Sequence, residues 1–168
     1  MRKLSSQGLR RTTDPDGEPR PRVLYVEDEK DNVDVLAYRL AKHYKILWAQ
    51  NDREAIELLR EHEGNLHAIL MDIQLMGSHL DGIQLTRAIR AIPPPEPLPE
   101  LDQLPAVPVL PEVPIIFLTG YISRYSREEL GSAGGNALLG KPFDFHELLE
   151  ALGQLGEARA ARQAEQGV

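Results

Sequence analysis

Apolar and polar positions along this chain alternate between two patterns. Residues 22–26, 44–49, 67–72, 113–118 and 136–140 are short, mostly apolar runs bounded by polar residues. Runs of this length read as strands buried on both faces. Between them, apolar residues recur at helical spacing: Val33, Leu36, Ala37 and Leu40; Ala55, Ile56 and Leu59; Leu85, Ala88, Ile89 and Ile92; Phe145, Leu148, Leu149 and Leu152. A further short helix is expected after Ser126. Asn51 with Glu54, Ser126 with Glu129 and Asp144 with Glu147 have cap spacing, and Asp28 or Asp31 is placed to cap the first helix. Five strands alternating with five helices specify an α/β fold, a parallel sheet with helices on both faces. Its crossovers are right-handed.

Three segments fall outside the alternation. Residues 1–21 are rich in Ser, Thr, Gly, Pro and charge, without periodicity, and read as a disordered lead-in. Residues 156–168 form a polar tail expected to fray. The third helix ends at Pro93-Pro94-Pro95, and a Pro-rich stretch follows to about residue 112. Helix-to-strand connections usually take about 2–6 residues, so 93–112 reads as an insert. It should leave the amino edge of the sheet in extended, polyproline-like form, as a mobile spacer or a partner-docking segment. On that reading, folding does not need it. The domain itself is 22–155.

The chemistry sits at strand ends. Asp72 directly follows an apolar run; alone it would pass for a turn residue. In open α/β sheets, however, ligands bind at the carboxyl edge. Glu27, Asp28, Asp72, Thr119 and Lys141 all lie at or just after strand ends, so this topology brings them to one edge. Capping needs one acid; adjacent carboxylates suit a hard cation such as Mg²⁺. The cation and Lys141 would neutralise a phosphoryl group, Thr119 would hydrogen-bond it, and Asp72 would be the nucleophile. The net charge of −7 argues against a nucleic-acid surface. No cysteine is present to supply a thiolate or a disulfide. The five histidines lack metal-ligand spacing. No apolar stretch approaches the roughly 20 residues of a membrane span.

These residues resemble a known family. Val23-Leu-Tyr-Val-Glu27-Asp28-Glu29, Ile69-Leu-Met-Asp72-Ile73, Leu80-Asp81-Gly82, Pro114-Ile-Ile-Phe-Leu-Thr119-Gly120 and Gly140-Lys141-Pro142-Phe143 follow one another as in the receiver domains of bacterial two-component response regulators. The resemblance implies a flavodoxin-like sheet of strand order 2-1-3-4-5. It implies that Asp72 accepts a phosphoryl group from a histidine kinase or histidine phosphotransfer protein. Glu27, Asp28, Asp72 and the backbone carbonyl of Gln74 would hold Mg²⁺, Thr119 and Lys141 would contact the phosphoryl group, and the Lys141–Pro142 bond would be cis.

The sequence departs from the family's pattern in places. Met76 stands where proline is common, in a loop about two residues longer than usual before Asp81-Gly82. Leu138 replaces the usual aromatic switch residue, and Asn136 a common Asp. Three rivals follow. A nucleotide- or flavin-binding sheet would want a Gly-rich loop where Glu27 and Asp28 stand. A haloacid-dehalogenase-type phosphatase would want Asp at position 74, which is Gln. A receiver-like adaptor would no longer depend on phosphate. The expectation is a stand-alone, cytoplasmic bacterial response regulator that is not an enzyme. It would have no DNA-binding domain and no membrane segment, and would signal by docking to an unknown downstream protein.

Overall fold

The computed structural model describes residues 20–167; the expected lead-in, but for its last two residues, lies outside them. The strands are β1 (Arg22–Val26), β2 (Lys45–Ala49), β3 (Leu66–Asp72), β4 (Ile115–Thr119) and β5 (Ala137–Gly140). The helices are α1 (Lys30–Leu40), α2 (Asp52–Glu61), α3 (Gly82–Arg90), α4 (Arg127–Ser132) and α5 (Phe145–Gln166). All strand pairs are parallel, in the order β2-β1-β3-β4-β5. This is the flavodoxin-like sheet expected from the sequence.

Side chains alternate across the sheet, which divides the core. Leu24, Val26, Ile69, Met71, Ile115 and Phe117 face α2 and α3. Val23, Tyr25, Ala68, Leu70, Ile116 and Leu118 face α1 and α5. Every residue of β1 and β4 is buried, as suits strands covered on both sides, whereas most of β2, at one edge, is half-buried.

Cap chemistry follows the sequence in part. The Asn51 and Ser126 side chains accept from the Glu54 and Glu129 amides. Neither Asp28 nor Asp31 caps α1: Glu29 is the N-cap residue and makes no side-chain cap bond. Asp144 caps α5 by accepting from the His146 amide, so the expected box with Glu147 is not the one used. A complete capping box forms instead at Asp81 and Gln84, opening α3.

The insert corrects two expectations. It is neither extended throughout nor confined to the amino edge, since its Gln103 carbonyl reaches Arg53 in the first turn of α2. It makes a 3-10 turn over Pro99–Gln103 and lies against the α2–α3 side of the core. Leu98, Leu101, Leu104 and Val107 pack on that core, and Leu110 is buried in it. The Leu110 amide donates to Ile89 O (2.8 Å). Arg53 donates to Gln103 O (2.7 Å), and Arg90 to Leu110 O (2.5 Å). The driving force is apolar burial, which a proline-broken segment supplies as well as a helix does.

The tail is also corrected: α5 continues past Gly156 to Gln166 and does not fray there. Its last turns are strong helix formers, Ala, Glu, Arg and Gln. Arg159 donates to Leu66 O (2.6 Å), and Arg162 lies 3.8 Å from Glu112. Gly156 is where the helix crosses the His67 ring; a Cβ there would stand 2.5 Å from it.

Candidate functional site at the carboxyl edge

Parallel strands present all their carboxyl ends together, and the site is built on four of them. Asp72 and Thr119 end β3 and β4, while Glu27 and Lys141 follow β1 and β5. The Lys141 amide donates to Thr119 O (2.7 Å), and the Lys141–Pro142 bond is cis. The ammonium reaches across the edge, 2.6 Å from Glu27 Oε2 and 3.1 Å from Asp72 Oδ2. Asp28 completes the set. Among the described residues, Glu27, Asp28 and Asp72 each bring a carboxylate oxygen within 4.8 Å of the others.

Glu27 is fixed from every side. Tyr25 donates its hydroxyl to Oε2 (3.1 Å), while Oε1 accepts from the Glu29 amide (3.2 Å) and Asn32 (3.3 Å). The Trp48 indole donates to its carbonyl (2.7 Å). Sequence reasoning missed Tyr25, Asn32 and Trp48. The first two lie within five residues of Glu27 on a strand and a helix already identified, so their spacing was available; Trp48 is visible only through the β1–β2 register.

The electrostatics separate the two central carboxyls. Burial alone would push Glu27 up, but hydrogen bonds and charge from Lys141, then Asn32, hold it below the usual range. Asp72 goes the other way. Burial raises it and the Glu27 carboxylate adds to that, while Lys141 only partly offsets them, leaving it at about 6. Lys141 is held above its usual value: burial opposes its charge, and Glu27 and Asp72 more than compensate. The ammonium thus stays charged between two acids.

Backbone geometry around Asp72 explains Asp81-Gly82. The Gly82 amide donates to Ile73 O (2.7 Å), and a Cβ at Gly82 would collide with the Asp72 carbonyl. The Gln74 amide donates to Asp72 Oδ1 (3.3 Å). Thr119 is buried on the same edge, with Oγ1 accepting from the Tyr121 amide (3.1 Å). Leu138 pairs in register with Phe117 and packs on the core. Asn136 accepts from the Ile115 amide (2.9 Å) and Arg90 (3.0 Å), which joins β5 to β4 and α3.

Three converging carboxylates are hard oxygen donors of the kind Mg²⁺ takes, so the residues fit such an ion. Together with the lysine, they set opposite charges side by side at one edge, an arrangement able to compensate the charge of a phosphoryl group.

A family profile described as the response regulator receiver domain matches residues 23–153. The chain belongs to that family. It is 41% identical over 70 residues to the autoinducer 2 sensor kinase/phosphatase LuxQ of Vibrio parahaemolyticus, covering 41% of this chain and 8% of that protein. It is 30% identical over 128 residues to the uncharacterized transcriptional regulatory protein YrkP of Bacillus subtilis, covering 76% and 46%. The chain thus spans less than half the length of either relative. Among solved structures, the receiver domain of the Francisella response regulator 1452 superposes with a TM-score of 0.63 at 22% identity, covering 83% of this chain and 98% of that one, a likeness of fold. No helix among the described residues is long and apolar enough to cross a membrane.

Proposed function

We propose that this receiver domain takes a phosphoryl group onto Asp72 from the phosphohistidine of a histidine kinase or histidine phosphotransfer protein. The observation that carries the reading is Lys141: one ammonium lies within hydrogen-bonding distance of both Glu27 and Asp72, in a pocket with a third acid. A divalent cation such as Mg²⁺, when bound, supplies positive charge against the phosphoryl oxygens, with Glu27, Asp28, Asp72 and the Gln74 carbonyl as its ligands.

The chain's own residues do the rest. An Asp72 oxygen attacks phosphorus as the P–N bond to the donor imidazole breaks, and the imidazole nitrogen keeps the electron pair. A carboxyl titrating near 6 is mostly ionised at neutral pH, so the nucleophile is available. Lys141 neutralises charge as it moves from the carboxylate to the new phosphoryl oxygens, and Thr119 donates its hydroxyl to one of them. The domain acts here as phosphoacceptor rather than as an enzyme with its own substrate. Its partners are the phosphodonor and whatever element, in the same polypeptide or another, reads the phosphorylated surface. It fits a protein of the bacterial cytoplasm.

Intact-mass measurement after incubation with acetyl phosphate and Mg²⁺ tests the reading. One added phosphoryl group on the wild type and none on Asp72→Asn is expected; equal labelling of both refutes it. A receiver-like adaptor independent of phosphate is the second reading, favoured by Leu138 where the switch aromatic usually stands. It requires that the wild type take no label.

A further inference from the structure

The connection from β3 to α3, residues 73–81, carries Gln74 beside Asp72 and ends at Gly82. Its ends are closed by the Gly82 amide on Ile73 O. Leu75 and Leu80 are buried, whereas Met76 projects into solvent with 78% of its surface exposed, and Gly77 takes a positive φ of 79°. A loop of this shape turns amides inward at its far side, where they need acceptors. The His79 and Leu80 amides find one, Asp52 Oδ2, at 2.8 and 2.9 Å.

Asp52 is the first residue of α2 and is 1% exposed. It does not cap that helix; Asn51 does. Its Oδ1 accepts from the Arg53 amide (2.9 Å), and its own amide donates to Ser78 Oγ (3.0 Å). One residue in the first turn of a helix therefore holds a loop 26 to 28 residues away, its carboxylate the His79 and Leu80 amides and its backbone amide the Ser78 hydroxyl. The hydrogen bonds to the carboxylate are charge-assisted, and Asp52 and Leu80 are both buried, which strengthens them. The Ser78 amide in turn bonds Leu75 O (3.4 Å), next to Gln74. A continuous path thus runs from α2 to the amide on the Asp72 carboxylate.

We propose that Asp52 is a positioning residue for the phosphorylation pocket, holding the long loop so that the Gln74 backbone stays against Asp72. The metal-binding part of this inference rests on the reading given under Proposed function. A purely structural Asp52 would lower stability but leave Gln74 and the pocket as they are.

The test compares wild type, Asp52→Ala, Asp52→Asn and Ser78→Ala by amide exchange in the metal-free protein, well below each melting temperature. Mg²⁺ titration is followed by fluorescence of Trp48, the only tryptophan, which touches the Glu27 carbonyl. In Asp52→Ala, exchange should speed by about tenfold or more at His79, Leu80 and also Gln74. Half-saturation by Mg²⁺ should need several times more metal. Asp52→Asn, which keeps an acceptor oxygen, should recover most of both effects, and Ser78→Ala should show a weaker form of the same pattern. Should Asp52→Ala not fold, the two milder variants carry the comparison. Faster exchange confined to His79 and Leu80, or unchanged Mg²⁺ half-saturation, overturns the proposal. A wild type with no response to Mg²⁺ would sink the metal reading instead, and Gln74 exchange alone would then decide the role of Asp52.

Discussion

Two connections depart from the shortest path between elements, and they are held by opposite means. Residues 73–81, at the carboxyl edge, are fixed by hydrogen bonds, with one buried carboxylate at the centre. Residues 91–114, which leave α3 and enter β4 at the amino edge but reach back to Arg53 in the first turn of α2, are fixed by apolar anchors on the α2–α3 core and by the Arg53 and Arg90 guanidinium groups. Polar fixation is directional and places individual atoms, as a site for phosphoryl chemistry needs. Apolar fixation is proportional to area and sets stability without placing reactive groups. Losses in the first region should therefore register in chemistry, and losses in the second in folding.

The largest expected effect breaks the apolar region. Replacing residues 94–111 by a short Gly-containing turn removes Leu98, Leu101, Leu104, Val107 and Leu110 from the core. At about 1–3 kcal/mol for each side chain, partly or fully buried, the loss is about 5 kcal/mol or more, comparable to a domain's whole stability. Urea denaturation should show a protein largely unfolded without denaturant. A cooperative transition within about 1 kcal/mol of the wild type would make the insert the dispensable spacer its composition suggests.

Lys141→Met should come next. It leaves Glu27, buried to 1% exposure, facing Asp72 without a cation. Removing one partner of a buried pair costs on the order of 3 kcal/mol, and Mg²⁺ should restore part of it. A metal-free variant as stable as the wild type would show that the ammonium is not what holds the acids together.

Arg90→Met follows. It unlinks the Leu110, Gly134 and Asn136 oxygens and should cost about 2 kcal/mol in denaturant. Labelling of the folded fraction should be unchanged; if labelling falls as well, the two regions are not separable.

The smallest effect is Asp72→Asn without metal. The folded carboxyl titrates near 6 rather than at 3.8, so between those values the folded chain binds more protons than the unfolded one. Stability from this group is therefore complete below pH 4 and is lost as pH rises through about 6. The Asn variant escapes that loss. It should be more stable than the wild type at pH 8 by on the order of 1 kcal/mol, with the advantage gone near pH 4. Thermal melts at the two pH values check the sign.

The strands and the convergence of Glu27, Asp28, Asp72 and Lys141 were legible because each apolar run is short and ends in its functional residue. The packing of 93–112 was not, because its leucines follow no period and their partners are Arg53, Arg90 and a helix pair brought together only by the fold. The long α5 was half legible. Residues 157–166 are good helix formers, but the polar composition from Gly156 onward pointed to an end. The role of Asp52 left no local signal: its neighbours are near in space and more than twenty residues away in sequence.

The central claim, that Asp72 is the phosphoacceptor of a pocket built at the carboxyl edge, is tested most directly by locating the label. Protein treated with acetyl phosphate and Mg²⁺ is reduced with borohydride, which converts an aspartyl phosphate to homoserine, and is then mapped by peptide mass spectrometry. Homoserine at position 72 alone is the expected result. Reduction at Asp28, Asp52 or any other acid, with position 72 intact, would contradict the account.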